Sequence, residues 1–206
     1  MKRILLALKL TALLSTAFGT NAWANYNDGL AAYQARNYPR AVKEFTPLAN
    51  QGNREAQHLL GLMHYTGQGI PQNYKQALTW FQKAASQGQA DAQYILGAMY
   101  YTGKGTAKDE PRAVVWFRKA AEQGHADAQY LLGLTYLYRA GGMPKDVVLA
   151  YMLWNLSAAS GNANAAEQRT QVAKRMTPEQ IEEGQALSSS WKVGTPLPTG
   201  SKTGRG

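Results

Sequence analysis

Histidine is the usual carrier of acid–base chemistry near neutral pH, and this chain has three, His58, His64 and His125. It has no cysteine. That absence removes a cysteine nucleophile, thiolate metal sites, disulfides and a lipid-modified N-terminal cysteine together. His58 and His64 lie six residues apart, which on a helix puts them on different faces and makes a poor metal pair. Glu182 and Glu183 are adjacent and diverge around a helix. The Gly67-x-Gly69 and Gly103-x-Gly105 segments lack the Gly-Lys-Ser/Thr that follows, and the strand that precedes, a phosphate loop. No carboxylate pair, serine elbow or metal cluster emerges. The expectation is a protein that is not an enzyme and holds no metal or cofactor.

The elements that carry these residues are set by an internal repeat. Displacing the sequence by 36 residues sets Ala56-Gln57-His58-Leu59-Leu60-Gly61 on Ala92-Gln93-Tyr94-Ile95-Leu96-Gly97, and again on Ala128-Gln129-Tyr130-Leu131-Leu132-Gly133. Ala77, Trp80, Phe81, Ala84, Ala85 and Gly88 fall on Ala113, Trp116, Phe117, Ala120, Ala121 and Gly124. The third unit carries one extra residue near Arg139, so Gly142, Pro144, Ala150, Trp154, Ala158 and Gly161 match at 37. A degenerate first unit keeps Ala41, Phe45, Ala49 and Gly52 but lacks the glycine-rich turn. This period is that of stacked helical hairpins. It also gives each histidine a slot: His58 stands where Tyr94 and Tyr130 do, His64 where Tyr100 and Tyr136 do, and His125 where Gln89 does.

Each unit reads as two helices. The first has apolar residues at helical spacing, with Gly97 and its equivalents small enough for close approach of a neighbour. The paired glycines after Thr66 and Thr102 end it. Asn37, Asn73, Asp109 and Asp146 share one position and are suited to cap the second helix, while Glu55, Asp91 and Asp127 begin the first, where negative charge suits the helix dipole. After Ala163 two further helices are expected, the second opened by the capping box Thr177-Pro178-Glu179-Gln180.

These motifs resemble the Sel-1-like repeat (SLR) family, a branch of the tetratricopeptide-type solenoids, over about residues 26 to 161. The resemblance rests on A-x-Y-x-L-G-x-x-Y-x-x-G-x-G followed by A-x-x-W-F-x-x-A-A-x-x-G. It implies an all-α, right-handed α-solenoid of helix-turn-helix repeats that serves as scaffold, adaptor or regulatory binding protein. The expected organisation is a signal peptide over 1–24, a capping repeat over 25–55, repeats over 56–91, 92–127 and 128–164, capping helices over 165–191 and a disordered tail over 192–206. Some cysteine-rich members of the family are associated with β-lactam binding or hydrolysis, and their disulfides have no counterpart here. A cell-wall enzyme of that kind, or an envelope spacer, is the alternative reading.

Lys2 and Arg3 precede an apolar stretch from Ile4 to Ala17, and Ala22-Trp23-Ala24 supplies a small-x-small cleavage pattern. The mature chain is therefore expected to begin at Asn25, in the periplasm or outside the cell. The stretch is shorter than the roughly 18 to 20 residues that span a bilayer, and no later segment is apolar enough. The formal charge of +9 is concentrated at the ends. Lys2, Arg3 and Lys9 belong to the leader, and Lys192, Lys202 and Arg205 to the tail, which leaves +3 on residues 25 to 190. That is no nucleic-acid footprint, although the basic tail suits weak contact with anionic envelope polymers. Lys75, Lys83, Arg112, Arg118 and Lys119 on the second helices are expected to solvate the convex face.

A protein or peptide partner is the expected ligand, and the first helices supply its surface. Ala56, Leu60, Met63 and His64 should pack inward. A second stripe holds His58, Leu62 and Tyr65, then Tyr94, Ala98 and Tyr101, then Tyr130, Leu134 and either Leu137 or Tyr138. Repeated tyrosines bury apolar area while keeping a hydroxyl for hydrogen bonding. Tyr65 and Tyr101 are expected to be exposed, whereas Tyr94 and Tyr130 suit either exposure or packing between repeats.

Overall fold

The computed structural model describes residues 25–204, so the expected signal peptide lies outside the described residues. Among these residues there is no strand. The helices are α1 (25–34), α2 (Tyr38–Asn50), α3 (Arg54–Thr66), α4 (Tyr74–Ser86), α5 (Ala90–Thr102), α6 (Glu110–Glu122), α7 (Ala126–Tyr138), α8 (Val147–Ala159), α9 (Ala163–Ala173) and α10 (Pro178–Ser190). The fold is all-α and built of repeated helix pairs, as in an SLR solenoid. It divides into two compact units at Ala84/Ala85.

The expected caps form. Asn37, Asn73, Asp109 and Asp146 accept from the N–H groups of Arg40, Gln76, Arg112 and Leu149. The first helices of the pairs are capped too, by Asn53, Gln89 and His125, which accept from Ala56, Ala92 and Ala128. Those alanines are therefore the third residues of their helices, and each helix starts two residues before the expected repeat boundary. Thr177 and Gln180 make the reciprocal bonds of a capping box.

A glycine of each first helix seats an aromatic ring of the second. A Cβ built on Gly61 would lie 2.8 Å from the Phe81 ring, on Gly97 2.7 Å from Phe117, and on Gly133 2.5 Å from Trp154. The degenerate first pair keeps the device, with Gly29 against Phe45 at 2.6 Å. These rings are buried. Gln57, Gln93 and Gln129, also buried, link each pair to the one before it. Their side-chain amides donate to the carbonyls of Ala49, Ala85 and Ala121 at 2.9, 3.1 and 3.2 Å. Those carbonyls end a helix, and each also accepts a backbone N–H, from Gly52, Gly88 and Gly124, so the amide adds a second bond to each.

The third pair departs from the pattern. Arg139 takes the left-handed conformation (φ 59°) that Gly67 and Gly103 take in the earlier turns, and a short 3₁₀ turn, Ala140–Gly142, absorbs the extra residue. Helix α8 is apolar on nearly every side, and all of Val148 through Trp154 is buried. Such a helix needs cover all round. Helices α7, α9 and α10 pack on it.

The rest of that cover corrects the expectation of a disordered tail. Residues 192–204 run back along the second unit as a strap. Gly194 N–H donates to the Glu122 carbonyl at 2.7 Å and Leu197 N–H to the Glu122 carboxylate at 3.1 Å. Arg118 donates to the Leu197 carbonyl at 3.1 Å and to the Tyr136 hydroxyl. The Leu197 side chain is 5% exposed and, with Leu132, Tyr136, Leu149, Met152 and Leu153, walls a small internal space. Further on, Ser201 donates to Asp146, and Lys202 and Thr203 N–H to Glu183. The polar composition misleads because the strap is held by backbone donors to distant carboxylates and by one leucine. Arg118 thus holds the strap rather than solvating a face, whereas Lys83 and Lys119 are exposed and lie over the Trp80 and Trp116 rings at 4.2 and 4.3 Å.

Two stability tests follow from this packing. Gly97→Ala places a methyl against a ring that cannot retreat and should cost about 1–3 kcal/mol by overpacking, more than the better helix propensity of alanine returns. A melting temperature equal to wild type would show the seat to be slack. Leu197→Ala should cost about 2 kcal/mol in denaturant titration, whereas a free tail predicts no change.

Candidate partner-binding surface

In the first unit the stripe is largely internal. His58 is 8% exposed, with its ring edge-on to Phe81 at 5.9 Å. It is therefore buried against the seated aromatic rather than presented at the surface, just as Tyr94 lies near Phe117. Tyr65 is half-buried, edge-on to Tyr74 at 5.1 Å and near Phe81 at 6.5 Å, so its expected exposure is only partial. Leu62 is half-buried as well.

The second unit resolves the alternatives for Tyr94. Its ring stacks on His125 at 4.6 Å and 22° and tilts against Phe117 at 6.2 Å, which is packing between successive pairs. Tyr130 is half-buried, and its carbonyl accepts from the Trp154 indole at 3.1 Å. Tyr101 and Tyr138 differ from these, at 44% and 70% exposed.

Tyr101 and Tyr138 stand on two sides of one apolar groove of about 340 Å3, with Leu131, Leu134 and Thr135 of α7, Phe117 and Ala140 completing it. The spacing 131, 134, 135, 138 is one face of α7. Lys108 lies 5.4 Å from the Tyr101 ring and pairs with Glu110 at 2.7 Å, which braces one rim. Sequence reasoning found Tyr101, Leu134 and Tyr138 but missed Phe117, Leu131, Thr135 and Ala140 as lining residues. Helical periodicity from Leu134 and Tyr138 leads to Leu131, whereas Ala140 enters only through the extra residue of the third turn.

The histidines occupy structural places. His125 Nδ1 accepts from Ala128 N–H at 3.2 Å, and its Nε2 lies 3.4 Å from Asp91. His64 is half-buried, and burial lowers its pKa from the ordinary 6.5. Folding therefore favours neutral His64, while the unfolded chain takes up a proton below about pH 6.5. The stability it contributes is intact above that value and falls as the pH drops through it toward the lowered folded value. His64→Tyr, the residue present at Tyr100 and Tyr136, should shrink the difference in melting temperature between pH 7.5 and 5.0. An undiminished difference would assign the pH dependence to other groups.

Repeated helix pairs joined by seated rings and glutamine links, with a shallow apolar groove on a first helix, define a repeat protein of the solenoid class. A Sel1 repeat family model matches residues 54–89, 90–125 and 126–162, which begin with α3, α5 and α7, and the chain belongs to the Sel1 repeat family. A protective antigen present in uropathogenic Escherichia coli strains, displaying an SLR fold, is 33% identical with a TM-score of 0.74, over 88% of this chain and 39% of that one. A Sel1 repeat protein from Oxalobacter formigenes is 34% identical with a TM-score of 0.67, over 70% of this chain and 59% of that one. The chain thus spans less than two thirds of either relative. No curated protein matches. Sel1 repeat proteins are generally protein–protein interaction modules on a typically non-enzymatic scaffold, and no described helix is long and apolar enough to cross a membrane.

Proposed function

We propose that this protein is an exported adaptor or scaffold that binds a protein or peptide partner, and that the groove bracketed by Tyr101 and Tyr138 is the centre of its binding surface. The observation that carries the reading is the pair of exposed phenol rings on either side of an apolar groove. Water gains by losing such a surface, and tyrosine is rich in interface hot spots because it buries a large ring with few rotatable bonds. Tyr94 and Tyr130 are half-buried within the second unit, and His58, Leu62 and Tyr65 belong to the packing of the first. Export after Ala24 to the periplasm or the medium is supported by the basic and apolar leader and its cleavage pattern, and by the bacterial sources of the two structural relatives.

A photo-crosslinking amino acid placed at Tyr101 or Tyr138 in the native host should yield a discrete adduct identifiable by mass spectrometry. The same group at Val115, exposed on the second helix α6, should not. Tyr101→Ala with Tyr138→Ala should lower capture of that partner at least tenfold without lowering the melting temperature. Equal adducts from Val115, or none from the groove, would sink the proposal.

A further inference from the structure

We infer that the binding track continues from the tyrosine groove into a cationic crevice, and that the partner is a polypeptide segment carrying an acidic side chain about three residues from an apolar one. This rests on the reading that the groove binds a polypeptide. The N-caps His125 and Asn162 open α7 and α9 at the same repeat position, 37 residues apart. That register sets Gln168, Gln171, Val172 and Arg175 on Leu131, Leu134, Thr135 and Tyr138. The second set lines the groove, and the first lines a separate cavity of about 490 Å3. The same crevice is therefore built twice. Where α7 offers two leucines and a phenol, the α9 segment offers two amides and a guanidinium. Tyr138 belongs to both linings, and in the second it holds the place that Tyr101 holds in the first.

Lys145, at the entry to α8, adds a second positive charge to the cavity, and no carboxylate lines it. The carboxylates nearby are already engaged. Asp146 accepts from Leu149 N–H at 3.0 Å and from the Ser201 N–H and hydroxyl at 2.8 and 2.7 Å. Glu183 accepts from Lys202 N–H at 2.6 Å and from the Thr203 N–H and hydroxyl at 3.0 and 2.6 Å. The ion pairs among the described residues use Arg54, Lys108, Arg112, Arg118 and His125, which leaves Lys145 and Arg175 to the cavity. Two cations with amides and no countercharge are complementary to a carboxylate. Successive crevices of stacked helices lie about 10 Å apart, a distance that about three residues of extended chain cover. The apolar character of the adjoining groove favours a polypeptide over a polyanionic sugar.

The test is selection of a displayed library of random 12-residue peptides on the purified protein. The expected winners pair Leu or an aromatic residue with Asp or Glu about three positions away. In a synthetic winner, changing the acid to its amide should weaken binding to wild type about tenfold. The change should have no effect on binding to a Lys145→Gln plus Arg175→Gln variant that melts like wild type. Winners with apolar but no acidic preference, or an amide effect undiminished in the variant, overturn this inference and leave the groove standing. No enrichment, or enrichment unaffected by Tyr101→Ala, overturns the groove and this inference with it. An oligogalacturonate that binds wild type but not the variant, with no acidic peptide selected, assigns the cavity to an acidic sugar and overturns the polypeptide.

Discussion

The architecture depends on a steric bargain between a glycine and a ring. Glycine inside a helix costs about 1 kcal/mol relative to alanine, whereas burying an aromatic side chain contributes about 2–3 kcal/mol. The exchange is favourable only if the ring lies directly on the helix backbone. Gly29, Gly61, Gly97 and Gly133 each admit such a ring, from Phe45, Phe81, Phe117 and Trp154. With the two helices of a pair locked at this distance, the small faces that include Ala77, Ala84, Ala113 and Ala120 close completely. The alanines alone would not fix the distance, because small residues permit close approach without requiring it.

The third pair shows what happens when the ring grows. Trp154 is larger than phenylalanine and brings a polar N–H into the core, and the Tyr130 carbonyl accepts it. The surrounding helix is apolar throughout, so the stack cannot simply stop there. Helices α9 and α10 cover two sides, Gly184 of α10 gives Tyr151 a seat of its own, and the strap lays the buried Leu197 beside Leu149, Met152 and Leu153. The end of the repeat array is thus built from segments that lack the repeat pattern yet reuse its device.

Much of the fold was legible because its signals are local. The caps Asn37, Asn73, Asp109 and Asp146 and the capping box at Thr177 depend on residues within one turn of each other, and the period is read directly by comparing positions 36 apart. The strap was not legible. Its Gly-Pro-Ser-Thr composition is that of free chain, and its partners Glu122, Asp146 and Glu183 are distant in sequence. The surface was legible in part. Helical spacing picked out Tyr101, Leu134 and Tyr138, but it could not separate them from Tyr94, whose burial is decided by His125 in the following pair. Arg175 and Lys145 had no signal at all, since two cations on different elements form a site only after α9 has taken the place of a first helix.

The buried glutamines carry a consequence for how such a chain changes length. Each reaches a carbonyl only eight residues earlier in sequence, from Gln57 to Ala49, Gln93 to Ala85 and Gln129 to Ala121. The joint between two pairs is therefore encoded entirely within the short segment that connects them. A gene segment for one whole pair, duplicated or deleted in frame, carries a complete joint with it and leaves every other joint intact. In α9 the same register brings Ala166 to the glutamine position, so α9 meets the pair before it without such a joint. Change in length by whole pairs is thus open within the array, where each pair carries its own glutamine.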